Sequence, residues 1–401
     1  MRFMRFYIYA LVLLMLAIGT CPLHAAQPPV NVALHGKRFT VGAGDNRLTV
    51  LYLQGTPYEM GYAHGKLCAK EVRYLAEQVA PLMMLGMGCS PSRVDAIWKL
   101  YEKHLRPDYL EELKGLADGS GVPLRDIERL SAIPDISQWS CSFFAADGKA
   151  TEHGDPIQIR ALDYTTNAGI QKYPALIVYK PNHGVPFVNV GWLGFCGVVT
   201  ALNADTIAMS EIGDDWDKKT NNFDGRPLTY VMRDAVQFGT TLQEAIHQVR
   251  DYPRTLSILY CLSWGKTGQM AALQTSHDKC YVYNSTDLPF PTKPGMVYMS
   301  MGMNSNWNAK LGHVLLQDYG HITVPVAEQI MHELKTGSLH AVVFKPATGD
   351  LWVANATAHQ MAYDRPFLHF NLFKALSDPF FKQPAPNSTA QETSLAPTNV
   401  R

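Results

Sequence analysis

The sequence predicts an α+β protein, because helical and strand-like segments come in blocks and not in strict alternation. Three observations carry this. Apolar residues recur at helical spacing from Thr56 to about 132, and short β-rich runs punctuated by Gly, Pro or Asn take over abruptly at Cys141. The chain has 401 residues, 47% hydrophobic and 17% charged, which is enough to bury a large core.

The first helix is expected over 56–84. Thr56 and Glu59 have capping-box spacing, Pro57 suits the first helical position, and Met60, Leu67, Val72, Leu75, Val79 and Leu82 supply an apolar face. Gly61 and Gly65, spaced as GxxxG, suit close helix packing better than catalysis. Further helices are expected at 91–104, 107–117 and 123–132, so the first third reads as mainly helical. After Cys141, strands are expected at 142–146, 157–164, 175–180, 187–192, 198–202 and 207–212. Helices at 227–238 and 241–250 follow, then strands at 256–263, 269–275, 278–284 and 296–301. A helix at 322–335 and the strand pair 340–344 and 351–354 complete the packed part. Residues 383–401 are rich in Pro, Ser, Thr, Gln and Asn and read as a disordered tail.

Lys plus Arg equals Asp plus Glu at 35 each, so nothing points to nucleic acid or an anionic membrane, and a neutral small-molecule substrate fits better. Residues 1–26 read as an export signal: Arg2 and Arg5, an apolar run from Tyr7 to Ile18, then Pro22, Ala25 and Ala26. The run is shorter than the roughly 20 residues a spanning helix needs, so no stable membrane anchor is expected. An uncleaved anchor is the alternative. With Cys21 lost in the leader, six cysteines remain: Cys68, Cys89, Cys141, Cys196, Cys261 and Cys280. An oxidising compartment permits disulfides. Bridges Cys261 to Cys280 and Cys68 to Cys89 are expected, with Cys196 free and buried.

No CxxC pair, HExxH, GxSxG elbow or phosphate loop occurs, so neither metal nor cofactor is expected. What remains is the junction at Cys141. A polar linker, Asp135 to Ser140, ends there, and a strand opens with Cys141-Ser-Phe-Phe-Ala145. After a turn near His153 to Pro156, the returning strand carries Arg160-Ala-Leu-Asp163. A thiol, a guanidinium and a carboxylate thus fall on adjacent antiparallel strands. Residues three apart on a regular strand face opposite sides. A bend near Leu162 is therefore expected if Arg160 and Asp163 are both to reach Cys141. Plainer readings stay open: Cys141 as a disulfide partner, and Arg160 with Asp163 as a surface ion pair.

The order of four segments resembles the C45 peptidase family, autoproteolytic acyltransferases and hydrolases related to acyl-coenzyme A:6-aminopenicillanic acid acyltransferase. These are Gly55-Thr-Pro-Tyr-Glu-Met-Gly-Tyr-Ala-His-Gly65, Leu113-Lys-Gly-Leu-Ala-Asp-Gly-Ser-Gly121, Cys141-Ser-Phe-Phe-Ala145 with Arg160-Ala-Leu-Asp163, and Gly197-Val-Val-Thr-Ala-Leu-Asn203. The resemblance implies a four-layer αββα N-terminal nucleophile (Ntn) hydrolase sandwich of two antiparallel sheets between helices. It also implies cleavage before Cys141, giving a helical fragment 27–140 and a catalytic segment 141–382. Cys141 would then be the nucleophile with its own α-amine as base. By family position Arg160 would hold anionic species, Asp163 would orient the amine, and Asn203, with Asn304 as a weaker candidate, would donate to an oxyanion. Asn203 is equally suited to a turn. The implied partners are a small acyl amide or acyl ester and the protein's own cleaved N-terminal fragment. A phospholipase B-like esterase, or an exported binding protein that keeps the fold without turnover, are the alternative readings.

Overall fold

The protein is described by a computed structural model over residues 34–137, 141–214, 216–303 and 305–382. The expected leader, the tail, Ser140 and Asn304 lie outside the described residues.

The chain enters through an antiparallel pair, β1 (Gly36–Ala43) and β2 (Asn46–Gly55), followed by helices α1 (Pro57–Leu67) and α2 (Ala69–Tyr74), a π-helical turn (Leu75–Val79) and α3 (Ala80–Gly86). Helices α4 (Pro91–Tyr101), α5 (Pro107–Ser120) and α6 (Leu124–Ile136) complete the N-terminal part. Then come β3 (Cys141–Gly148), β4 (Gly154–Leu162), β5 (Pro174–Pro181), β6 (Phe187–Trp192), β7 (Ala201–Asn203) and β8 (Ile207–Gly213). Helices α7 (Leu228–Phe238) and α8 (Leu242–Arg250) lead into β9 (Ile258–Trp264), β10 (Met270–Thr275), β11 (Cys280–Tyr283) and β12 (Met296–Ser300). The rest is α9 (Asn306–Gln317), α10 (Val324–Leu334), β13 (His340–Lys345), β14 (Asp350–Asn355), β15 (Leu368–Asn371), α11 (Leu372–Leu376) and α12 (Pro379–Lys382).

Two sheets form, one ordered β1-β2-β5-β6-β7-β8-β9-β10-β11 and the other β12-β3-β4-β13-β14-β15. On the outer face of the first, Leu51, Ile177, Met209 and Leu262 pack with Met60, Leu116, Val231 and Ala235 from the helices. On the outer face of the second, Phe144, Ile159, Tyr298 and Val343 meet Leu311, Leu315, Ile330 and Met331 of α9 and α10. Between the sheets, Val178 and Val188 oppose Val342 and Val353, while Ile212 and Leu259 share a cluster with Phe143 and Val297. The order of layers is helix, sheet, sheet, helix, and the fold is the expected αββα sandwich. Among the described residues no helix is long and apolar enough to cross a membrane.

Three features depart from expectation. The N-terminal part is not only helical, because β1 and β2 precede its helices, and β2 pairs with β5 in parallel within an otherwise antiparallel sheet. A strand buried on both faces reads as an unbroken apolar run, as Val50 to Leu53 does, so a period-two pattern cannot reveal it. The helix expected over 56–84 starts at the predicted capping box, with Glu59 Oε2 accepting from Thr56 N at 2.8 Å. It is interrupted at Cys68 and widens into the π turn just before Pro81, whose ring and missing N–H disfavour a regular α-helical turn upstream. Helix α9 was not expected at all.

Candidate active site

Cys141 is the first residue of β3 and is buried. It sits opposite Leu162 of β4, and its carbonyl accepts from Met301 N at 2.8 Å. Met301 has φ 60°, an uncommon conformation for a side chain of its size, and so marks a constrained loop against the end of β3.

Arg160 lies opposite Phe143. Alternation therefore sends its side chain to the same inter-sheet face as Cys141 and Phe143. It is fully buried. Nε donates to Val199 O at 3.3 Å, Nη1 to Ala161 O at 3.0 Å, and Nη2 to Glu211 Oε1. The guanidinium also bonds to the Cys141 thiol, an interaction that holds its own pKa up against burial. Burial pushes the Cys141 thiol up to about 12, Arg160 pulls it down, and the carboxylates of Glu211 and Asp163 push it up. In this setting the thiol keeps its proton at neutral pH unless a base removes it. The structure does not place Arg160 in a surface ion pair with Asp163.

Strand β4 ends at Leu162, which releases Asp163 from the alternation of the ladder. Its carboxylate accepts from Thr336 Oγ1 at 2.7 Å, from Gly337 N at 3.0 Å and from Ser338 N at 2.8 Å. Thr336 Oγ1 is also 2.8 Å from Ser142 Oγ, which in turn is 2.7 Å from Ser300 Oγ. Asp163 thus braces the start of β3 through the turn between α10 and β13, and its charge is felt at the thiol. Burial raises its carboxyl above the ordinary range despite these donors.

Asn203 is placed elsewhere. Its amide nitrogen donates to Val236 O at 2.9 Å and Gly239 O at 2.8 Å, and its Oδ1 accepts from Ile207 N at 2.8 Å. Both polar ends are committed to closing the β7–β8 turn and the end of α7. Asn304 lies outside the described residues. Glu211, the carboxylate that meets Arg160, was missed. Its signal was a lone acid in the apolar strand 207–212.

Cys141 lines an open cavity of about 820 Å³, a volume that includes solvent at its mouth. Its walls are apolar: Leu75, Val79 and Met83 from the π turn and α3, Leu130 and Ile133 from α6, Trp192 at the end of β6, and Phe195 and Val199 from the loop between β6 and β7. Among the described residues no group of three His, Cys, Asp or Glu side chains is placed to hold a metal ion.

The expected disulfides are corrected. Cys68, Cys89, Cys261 and Cys280 are all thiols, and Cys196 is a buried thiol as expected. Cys261 on β9 faces Ala272 and Cys280 on β11 faces Thr275, so β10 runs between them. Two strand spacings are about 10 Å before the three-residue offset is added, beyond the roughly 7 Å that a disulfide can span between Cα atoms.

No family model matches the chain. It is similar to protein dcd1B of Dictyostelium discoideum, 25% identical over 402 residues, covering 88% of this chain and 80% of that one. It is also similar to protein dcd1A of the same organism, 24% identical over 82% of this chain and 83% of that one. An uncharacterized protein of Archaeoglobus fulgidus is 27% identical over 68% of this chain and 50% of its own length. Among solved structures, the chain is similar to a Caenorhabditis elegans ortholog of N-acylethanolamine-hydrolyzing acid amidase (TM-score 0.42, 13% identity, 52% of this chain and 93% of that one). It is similar also to a conjugated bile acid hydrolase from Clostridium perfringens (TM-score 0.40, 10% identity, 58% of this chain and 93% of that one).

Proposed function

We propose that this chain is an exported, self-cleaving amidohydrolase that carries acyl groups on Cys141. One observation carries the reading: a cysteine that opens a strand holds its thiol against a fully buried arginine at the wall of an apolar cavity. In the uncut chain the thiol adds to the carbonyl carbon of Ser140. The peptide nitrogen leaves as the α-amine of Cys141, and water opens the resulting thioester to a Ser140 carboxylate and a free thiol. The new amine, with an ordinary pKa of about 7.7 to 8.0, can take the thiol proton that burial otherwise retains. The thiolate then adds to the substrate's acyl carbon, the amine departs with that proton, and water hydrolyses the acyl-Cys141 thioester. Arg160 supports the anionic states of the sulfur and the reacting oxygen, and Asp163 keeps the start of β3 in register. The apolar walls suit a hydrocarbon acyl group. Residues 1–26 support export.

Incubation with a panel of N-acyl amides and one lysophospholipid ester, followed by acid quench and peptide mass analysis, tests the reading. An acyl adduct on Cys141 that forms with amides and is absent from Cys141→Ala is the expected result. Turnover of the ester alone would favour the phospholipase B-like alternative. Turnover without any adduct on Cys141 would refute the mechanism.

A further inference from the structure

Strand β12 lies at the edge of its sheet, so every second N–H along it points away from β3 and meets no strand. Ser300 N is one of these. Asn308, in the first turn of α9, takes it up, with Oδ1 accepting from Ser300 N at 2.6 Å. The same amide turns back on the loop that follows, where Nδ2 donates to Gly302 O at 3.0 Å and to Met303 O at 2.6 Å. Asn308 is buried, and its carbonyl and both amide hydrogens are thus engaged with one stretch of four residues.

That stretch holds an unfavourable backbone. Met301 has φ 60° and Gly302 φ 101°. Glycine takes such angles freely, whereas a residue with a Cβ is disfavoured there and persists only where its surroundings over-determine it. Asn308 grips the loop on one side, and Asp214 Oδ1 accepts from Met303 N at 3.2 Å on the other. So held, the loop brings Met301 N to Cys141 O at 2.8 Å.

This bond gains weight when the chain is cut before Cys141. The residue then becomes a chain end, and chain ends fray unless they are tied down. Its amine can serve its own thiol only while the residue stays in place, and a displacement of about 1 Å can cost about 100-fold in rate.

We propose that Asn308 is a positioning residue for the nucleophile: by holding Met301 in its left-handed conformation, it ties down the backbone of Cys141 once that residue is a chain end. This deepens the amidohydrolase reading and rests on it for the reaction at the thiol.

Asn308→Asp keeps the size of the side chain and the acceptor for Ser300 N, and it removes both donors. Assayed well below its melting temperature, the variant should lose about 10- to 100-fold in kcat with KM nearly unchanged. The pH midpoint for alkylation of Cys141 by chloroacetamide, followed by peptide mass analysis, should move towards the value of about 8.5 of an unconstrained cysteine. Adding Met301→Gly should recover most of both effects, because glycine holds φ 60° without support. A residue that served stability alone would not be rescued in this way. An Asn308→Asp protein with wild-type kcat and midpoint, or a loss that Met301→Gly leaves unrestored, would overturn the proposal. Should Asn308→Asp not fold, Asp214→Asn, which weakens the grip on Met303 N, must show the same shift and the same rescue, and their absence overturns it. In wild type that is cut but turns over no amide, the midpoint decides alone: a shift that Met301→Gly reverses upholds the positioning role and sinks the amidohydrolase reading. An unmoved midpoint and kcat beside normal wild-type turnover sinks the positioning role only, and an uncut wild type sinks both.

Discussion

Arg160 is a full charge with no exposure to water, which is tolerable only because every face of the guanidinium is met. Glu211 supplies the counter-charge, Val199 and Ala161 supply carbonyls, and Cys141 supplies sulfur. Glu211→Gln would leave a buried charge uncompensated, so unfolding in urea should show a loss of about 3–5 kcal/mol. Retention of wild-type stability would mean that the pair is not buried as described. Asp135 is a second residue under tension: it is fully buried in α6, accepts from Leu228 N at 3.1 Å and from Thr255, and has one oxygen without a partner. Burial, opposed by those two donors and reinforced by Glu211, raises its carboxyl from 3.8 to about 7. The folded state thus holds this proton more tightly than the unfolded chain does. The stability it contributes is complete below about 3.8 and is lost as pH rises to about 7. Melting temperatures across this window should fall more steeply for wild type than for Asp135→Asn, and identical slopes would refute the assignment. Cys141 and Arg160 were legible because a strand begins at one and returns with the other. Glu211 comes from a strand of the other sheet, and no local pattern in the sequence says which sheets will face each other.

At the scale of elements, α1 and α5 touch backbone to backbone. A Cβ at Gly61 would stand 1.9 Å from Glu112 O, and one at Gly115 would stand 2.2 Å from Tyr58 O. Gly61→Ala must therefore separate the helices, whereas a Cβ at Gly86 in α3 meets nothing within 4 Å. Denaturation midpoints should show Gly61→Ala strongly destabilised, and Gly86→Ala neutral or more stable by up to about 1 kcal/mol. Equal behaviour of the two would contradict the packing. The close approach was legible from Gly61 and Gly65, as was the start of α1 from its capping box, because both are local. The π turn was not. Its Leu75 and Val79 fit a helical period, and the widening that aims them at the cavity shows only when Pro81 is weighed against the helix.

Across the whole molecule, the segment before Cys141 is not a detachable cap. Its β2 pairs along seven residues with β5, from Thr49 with Ala175 to Gly55 with Pro181, and its π turn, α3 and α6 wall the cavity. The block pattern of the sequence made the four layers legible but suggested a helical segment set apart, because β2 was hidden in an apolar run and β1 is a polar, mostly exposed edge strand. Cleavage before Cys141 should accordingly leave two fragments that co-elute in native size-exclusion chromatography and separate only in denaturant. The measurement that bears most directly on the central claim is N-terminal sequencing of the purified protein. Wild type should show a second N-terminus at Cys141, and Cys141→Ala should show none. Active wild-type protein made of a single unbroken chain would contradict it.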